Sequence, residues 1–189
     1  APFYHAAPLR FCMAMQQIGA TVVAMEHFDP EQYLQLVERH RITHSQWVPT
    51  MFIRMLALPD ADRARHDLSS MRFAIHAAAP CPQDVKRRMI EWWGPIIYEY
   101  YGGSEQFGRT QIDSHEWLAH PGSVGRPRHC VVHICSEGGE ELPVGSTGVV
   151  YFESANLAFA YLNDPVKTQS ALHPHHPNWG TYGDIGRLD

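Results

Sequence analysis

Tyr100-Tyr101-Gly102-Gly103-Ser104-Glu105 is the stretch on which the reading of this chain turns. Before it, Pro95-Ile96-Ile97-Tyr98-Glu99 is apolar and β-branched, the pattern of a buried strand. The strand gives out at a glycine pair, which lets the backbone approach a ligand closely or take up positive φ. A hydroxyl (Ser104) and a carboxylate (Glu105) follow at once on a short loop. In an open α/β sheet, ligands bind beyond the carboxyl ends of the strands. Tyr101 offers an aromatic face, Gly102 and Gly103 close approach, Ser104 a hydrogen bond and Glu105 an acid. That set suits a nucleotide with a metal ion better than a sugar or a peptide. Taken alone, it also describes an ordinary strand–turn connection.

Upstream, strand and helix alternate. Leu9, Cys12, Met13, Met15 and Ile18 have helical spacing and stop at Gly19, a C-terminal signal. Thr21 to Met25 reads as a buried strand. Asp29-Pro30-x-Gln32 starts a helix with Tyr33, Leu36 and Val37 on its inner face. Residues 42–48 form the next strand, and Pro49 opens a helix through Met51, Ile53 and Leu56. Residues 71–76 are a strand running into Ala77-Ala78-Ala79-Pro80. From Pro82 to Trp93 an amphipathic helix turns Val85, Met89 and Trp92 inward and Lys86, Arg87 and Arg88 outward. This order predicts an α/β fold, a Rossmann-like parallel sheet covered on both faces, over residues 1–118. Over 119–189, strands at 129–134 and 149–153 separated by glycine turns predict a small barrel or sandwich.

Composition narrows the function classes. The 189 residues are 44% apolar and 19% charged, globular values. A net charge of −5 leaves no basic footprint for nucleic acid. No apolar run approaches the ~18–20 residues of a membrane span, and no secretory signal is present, so the expected location is the cytoplasm. Cys12, Cys81, Cys130 and Cys135 are scattered with no Cys-x-x-Cys pair, as suits reduced thiols. Ala1-Pro2-Phe3-Tyr4 and Gly186-Arg187-Leu188-Asp189 both read as the interior of a longer chain, so an internal fragment is expected.

Other chemistries find less support. His129, His133 and Cys135 would share one strand face but have no fourth zinc ligand at a recognisable spacing. The histidines of 173–177 alternate with prolines, as in a solvated loop. Gly102-Gly103-Ser104-Glu105-Gln106 lacks the second glycine of a nucleophile elbow. Neither lysine, Lys86 or Lys167, lies in a glycine-rich phosphate loop. Gly180-Thr181-Tyr182-Gly183-Asp184-Ile185-Gly186 is richer, because a carboxylate on a glycine-flanked turn can accept both hydroxyls of a ribose. Taken alone, the stretch is better read as an aspartate in a plain Gly-Asp turn.

Several short motifs occur in one order: Tyr4-His5-Ala6-Ala7-Pro8-Leu9, Val48-Pro49-Thr50, Ala78-Ala79-Pro80, Tyr101-Gly102-Gly103-Ser104-Glu105, Gly122-Ser123-Val124-Gly125-Arg126-Pro127, Gly145-Ser146-Thr147-Gly148, Tyr161-Leu162-Asn163-Asp164-Pro165 and Tyr182-Gly183-Asp184. In that order they resemble the adenylate-forming (AMP-binding) acyl-CoA synthetases. The resemblance implies a ligase that joins a fatty or aryl acid to AMP, using Mg-ATP, and then hands the acyl group to coenzyme A. It implies that Tyr101 stacks on adenine, with Ala78, Ala79 and Pro80 lining it, and that Ser104 touches the α-phosphate. Glu105 would hold Mg²⁺, a hard ion suited to a carboxylate. Asp184 would bind the ribose, His5 would sit near the acyl carboxylate, and Gly102 and Phe107 would line the acyl pocket, with Trp47 a further candidate. By family order, the part after residue 118 becomes a small β-barrel subdomain.

Two departures stand out: Ser104 replaces the family's usual threonine, and Tyr182 replaces the threonine of Thr-Gly-Asp. The lysine-bearing phosphate loop and the C-terminal catalytic lysine of such enzymes are absent from these residues, so the chain by itself is expected to be inactive. Two alternatives remain open at this point: an adenylation domain that loads a carrier protein, and a non-catalytic nucleotide-binding module. A histidine-rich metal-binding protein is a third class.

Overall fold

In the computed structural model, which describes residues 3–155, 157 and 159–189, the chain forms two compact units. The first comprises residues 1–100 and 112–125, the second 101–111 and 126–189.

Helix α1 (Ala6–Gln17) in the first unit closes at Gly19, whose φ of +82° and amide bond to the Gln16 carbonyl (2.9 Å) reverse the chain. Its apolar spacing does not mark a buried face: Leu9, Met13 and Ile18 are exposed and only Pro8 is buried. Residues 21–25 depart from expectation too. They are half-buried or exposed and belong to no helix or strand, so among the described residues no neighbour gives them a ladder. Helix α2 (Pro30–His40) begins as its sequence demands, with the Asp29 carboxylate accepting from the Gln32 amide at 2.8 Å. Then follow β1 (His44–Trp47), α3 (Pro49–Leu56), the single-turn α4 (Asp60–Arg63), β2 (Phe73–His76), α5 (Gln83–Trp93) and β3 (Ile97–Gly102). Strand β2 runs parallel to both β1 and β3, with Trp47 opposite His76 and His76 opposite Glu99. Trp47, Phe52, Tyr33 and Trp93 form the aromatic centre of the core, with Trp47 and Phe52 stacked at 5.3 Å.

A buried charged group fixes α5 against β3. Lys86 was expected to point outward, but the inward stripe of α5 is Val85, Lys86, Met89 and Ile90. Lys86 is fully buried, its Nζ 2.5 Å from Oε2 of Glu99 and 4.9 Å from the Trp117 ring centre. The reason is local: Glu99 sits within a buried strand, and a carboxylate there needs a cation more than the helix needs one more apolar residue. Helix α6 (Ser114–Ala119) supplies Trp117. Its Ser114 hydroxyl donates to the Ile97 carbonyl (2.7 Å) and accepts from the Ile97 amide (3.1 Å), pinning the start of β3. His76 completes the group. Its Nε2 lies 3.5 Å from Glu99, too far for a hydrogen bond, and neither ring nitrogen has a hydrogen-bond partner. Burial first, and the Lys86 charge second, push its pKa down to about 3, so His76 stays neutral.

The second unit is antiparallel. Strand β4 (Arg109–Ile112) pairs with β5 (Arg126–Pro127), Thr110 opposite Pro127. Strand β6 (Val131–Cys135) pairs along its length with β7 (Gly148–Glu153), which also carries β8 (Trp179–Gly180) and β9 (Ile185–Gly186). Among the described residues these pairings make an open four-stranded sheet and close no ring. A helix absent from the sequence reading, α7 (Pro165–Ser170), is capped by Asp164, whose carboxylate accepts from the Lys167 amide at 2.9 Å. Phe107, Ile134, Val150, Phe152 and Ala171 are the buried centre.

Two outcomes follow from the charged group. Glu99→Ala strands a buried ammonium and should cost about 3–5 kcal/mol in urea unfolding, most of which the double change Lys86→Met/Glu99→Leu should restore. His76 gives a pH signature. Above pH ~6.5 neither the folded nor the unfolded form is charged at this residue, and its contribution to stability is complete. As pH falls from ~6.5 toward 3, the unfolded chain takes up a proton that folded His76 refuses, so stability declines by up to about 1.4 kcal/mol per pH unit. His76→Leu should flatten the stability-against-pH curve over that window.

Candidate nucleotide site

In the second unit, Tyr101 brings the organising loop to the C-terminal turn. Near the end of β3 and half-buried, it donates its phenol hydrogen to Oδ2 of Asp184 at 2.7 Å, across 83 residues of sequence. Burial, and then the Asp184 carboxylate, raise the Tyr101 pKa, so the phenol remains a neutral donor. Asp184 itself is exposed, follows Gly183 at φ +83°, and is anchored through its carbonyl to the Val150 amide (3.0 Å). The aromatic ring and the carboxylate expected to serve one nucleoside are therefore joined by a hydrogen bond.

Each residue between them has a defined place. A side chain on Gly103 would collide with the Tyr182 ring and come within 2.6 Å of Oε2 of Glu105. One on Gly102 would lie 3.0 Å from the Gly108 carbonyl oxygen. Ser104 is exposed at the tip, and Gln106 holds a φ of +62°. Glu105 is half-buried, and its Oε1 accepts from the Tyr161 hydroxyl at 2.8 Å. Phe107 is buried, packed on Phe159 at 4.8 Å and Tyr182 at 5.3 Å. Tyr161 and Tyr182 are the members that sequence reading missed as partners of this loop. Each was visible only as the first residue of a motif, with nothing to show what its phenol meets.

In the first unit, Ala78, Ala79 and Pro80 form an exposed turn after β2, and Ala78 adopts φ +77°, a left-handed conformation costly for a residue with a Cβ. His5 is exposed at the N-terminus of α1, its ring 4.6 Å from that of Tyr4, and makes no side-chain cap. Trp47 is buried in the aromatic core.

As to metals, no group of three His, Cys, Asp or Glu side chains that could hold an ion is found among the described residues. The ring nitrogens of His133 lie 2.7 Å from Glu141 and 3.0 Å from Glu153, and its ring stacks on Trp179 at 3.6 Å. His129 sits in a left-handed turn and Cys135 is buried. Glu105 with the neighbouring Ser104 hydroxyl is a different donor set: one carboxylate and one hydroxyl, both hard oxygens. It fits Mg²⁺, which binds through one or two carboxylates plus substrate phosphates and needs no full protein cage.

Comparison with known proteins gives the family. The model of the AMP-binding enzyme family matches residues 1–162. The chain belongs to that family. A feruloyl-CoA synthase of an Amycolatopsis species is 31% identical over 192 residues, covering all of this chain and 38% of that protein. Among solved structures, the amide bond synthetase McbA from Marinactinospora thermotolerans superposes with a TM-score of 0.85 at 28% identity, covering 100% of this chain and 38% of its own. ATP-bound MatB from Rhodopseudomonas palustris gives a TM-score of 0.84 at 26% identity, covering 100% and 37%. This member of the AMP-binding enzyme family thus spans under two-fifths of each of these three proteins.

The close seat of the loop on Tyr182 yields a direct test. Gly103→Ala should lower stability by about 1–3 kcal/mol, because the added methyl meets an aromatic ring packed on three other rings. Chemical denaturation followed by tyrosine fluorescence measures it.

Proposed function

We propose that this chain is the nucleotide-holding part of an ATP-dependent acid–thiol ligase, which activates a fatty or aryl carboxylic acid as acyl-AMP and transfers it to coenzyme A. The observation that carries the reading is the Tyr101–Asp184 hydrogen bond, with Ser104 and Glu105 on the same loop. Membership of the AMP-binding family, and a feruloyl-CoA synthase among the similar proteins, support it.

The roles are those the family resemblance implies, and the chemistry of the residues suits them. Tyr101 offers its face to adenine, and Ala78, Ala79 and Pro80 would line the base. A carboxylate has about four acceptor sites, so Asp184 keeps capacity for the ribose hydroxyls after accepting from Tyr101. Ser104 would donate to the α-phosphate. Glu105 would hold Mg²⁺, which when bound neutralises phosphate charge. His5 would meet the carboxylate of the acid, and Gly102 and Phe107 would border the acyl group. In the first half-reaction a carboxylate oxygen of the acid attacks the α-phosphorus. A new P–O bond forms, the bond to the bridging oxygen breaks, and pyrophosphate leaves with the electron pair. In the second, the coenzyme A thiol loses its proton to solvent and its sulfur attacks the acyl carbon; a C–S bond forms, the bond from the acyl carbon to the phosphate oxygen breaks, and AMP leaves with the electron pair.

The two lysines are already committed. Lys86 is paired with buried Glu99, and Lys167 lies 4.1 Å over the Tyr161 ring. Phosphoryl transfer depends on positive charge at the transferring group, and neither lysine stands in for the phosphate-loop and C-terminal lysines that the family resemblance implies, so we take the isolated chain to bind nucleotide without turnover. Its four cysteines are free thiols, in keeping with a cytoplasmic setting, and no helix among the described residues is long and apolar enough to cross a membrane.

The test is a calorimetric titration with a non-hydrolysable acyl-adenylate analogue, beside an assay of pyrophosphate release. Saturable binding that Tyr101→Ala weakens about tenfold or more, the scale of one lost base–aromatic stack, with no pyrophosphate released by the isolated chain, is the expected result. A folded chain that binds nothing, or binds equally well without Tyr101, overturns the reading of the site. Pyrophosphate release overturns the claim of inactivity.

A further inference from the structure

The Tyr182 hydroxyl has no part in the proposed mechanism. It accepts from the Gly108 amide at 3.2 Å and donates to the Gly108 carbonyl at 2.9 Å, so one phenol satisfies both backbone groups of a half-buried residue. Its ring lies where a Gly103 side chain would be, 5.3 Å from Phe107 and 6.0 Å from Tyr101. Gly108 is bare for a related reason: a Cβ there would lie 2.8 Å from Cβ of Phe152, whose ring packs on Tyr182 at 5.4 Å. The loop carrying Ser104 and Glu105 is thus gripped at both ends, at Gly103 by ring contact and at Gly108 by two hydrogen bonds, and one side chain does both.

We propose that Tyr182 is a positioning residue that holds Ser104 and Glu105 in place for the phosphate and metal end of the nucleotide. Tyr182 is long enough to span the loop from Gly103 to Gly108; a threonine at this position could not reach both. The proposal rests on the nucleotide reading of the Tyr101–Glu105 loop given above. It assigns the phosphate end of that ligand to Tyr182, while the nucleoside end stays with Tyr101 and Asp184.

The experiment compares the chain with its Tyr182→Phe and Tyr182→Thr variants by amide hydrogen exchange and by calorimetric titration with Mg-ATP and, separately, adenosine. In the unaltered chain the Gly108 amide should exchange more slowly than that of exposed Ser104; equally fast exchange overturns the proposal without any variant. Tyr182→Phe keeps the ring and loses the hydroxyl. Its Gly108 exchange should rise, and its Mg-ATP affinity should fall about tenfold, the equivalent of one hydrogen bond, with adenosine affinity unchanged. Tyr182→Thr should lose Mg-ATP affinity further and not recover it. A purely structural role would weaken both ligands together, and that result, like unchanged Mg-ATP affinity in Tyr182→Phe, overturns the assignment of Tyr182 alone. No binding of either ligand by the folded, unaltered chain overturns the nucleotide reading, and this proposal with it.

Discussion

Removing a carboxylate from water inside a sheet is tolerable only where a cation meets it, and this requirement at Glu99 organises the first unit. It turns Lys86 inward on a helix whose other basic residues face solvent, and so sets the rotation of α5 about its axis. Trp117 covers the ammonium, which fixes α6, and Ser114 on that helix clips the first residue of β3. His76, the register neighbour of Glu99, stays neutral because burial first, and the Lys86 charge second, disfavour its protonation. The stretch from Ile97 to Tyr100 is thereby held from both ends before the chain reaches the loop that carries the candidate chemistry.

The second unit solves a similar problem with neutral groups. A glycine-rich loop has little side-chain surface with which to fix itself, so its shape has to come from outside. Phenol hydroxyls supply it: Tyr101 to Asp184, Tyr161 to Glu105, Tyr182 to Gly108. Each neutral donor meets a carboxylate or carbonyl without adding charge to a site that would have to accept phosphates. The aromatic rings behind those hydroxyls form much of the local core, so polar contacts and packing are carried by the same side chains.

Much of the fold was legible because local signals were unopposed. Asp29 and Pro30 start α2, Pro49 starts α3, and the alternation of apolar runs predicted the parallel strands. The failures have physical causes. Thr21 to Met25 has a strand's composition, but a strand also needs a neighbour to pair with, and composition does not disclose one. Lys86 looked like surface because charge on a helix usually is; the counter-signal was Glu99, an acid inside an apolar run. At the candidate site, motif order nominated Tyr101, Glu105 and Asp184, yet nothing local could pair residues 83 apart, or reveal that Tyr182 reaches Gly108. Helix α7 was missed because its Asp164 cap lies in a stretch read only as a motif.

The order in which the chain visits its two units has a consequence for how such a protein can change. The chain leaves the first unit at Tyr101, returns at Ile112 and leaves again after Gly125. Neither unit is therefore a continuous block of sequence. A recombination event or an engineered graft that swaps one stretch for a homologue's splits at least one packed unit between two parents, wherever a single crossover falls between Tyr101 and Gly125. The loop of 101–111, with the candidate nucleotide contacts, would then be parted from the turn at 182–184 that holds it. Exchange between relatives should therefore be tolerated most readily where both segments travel together.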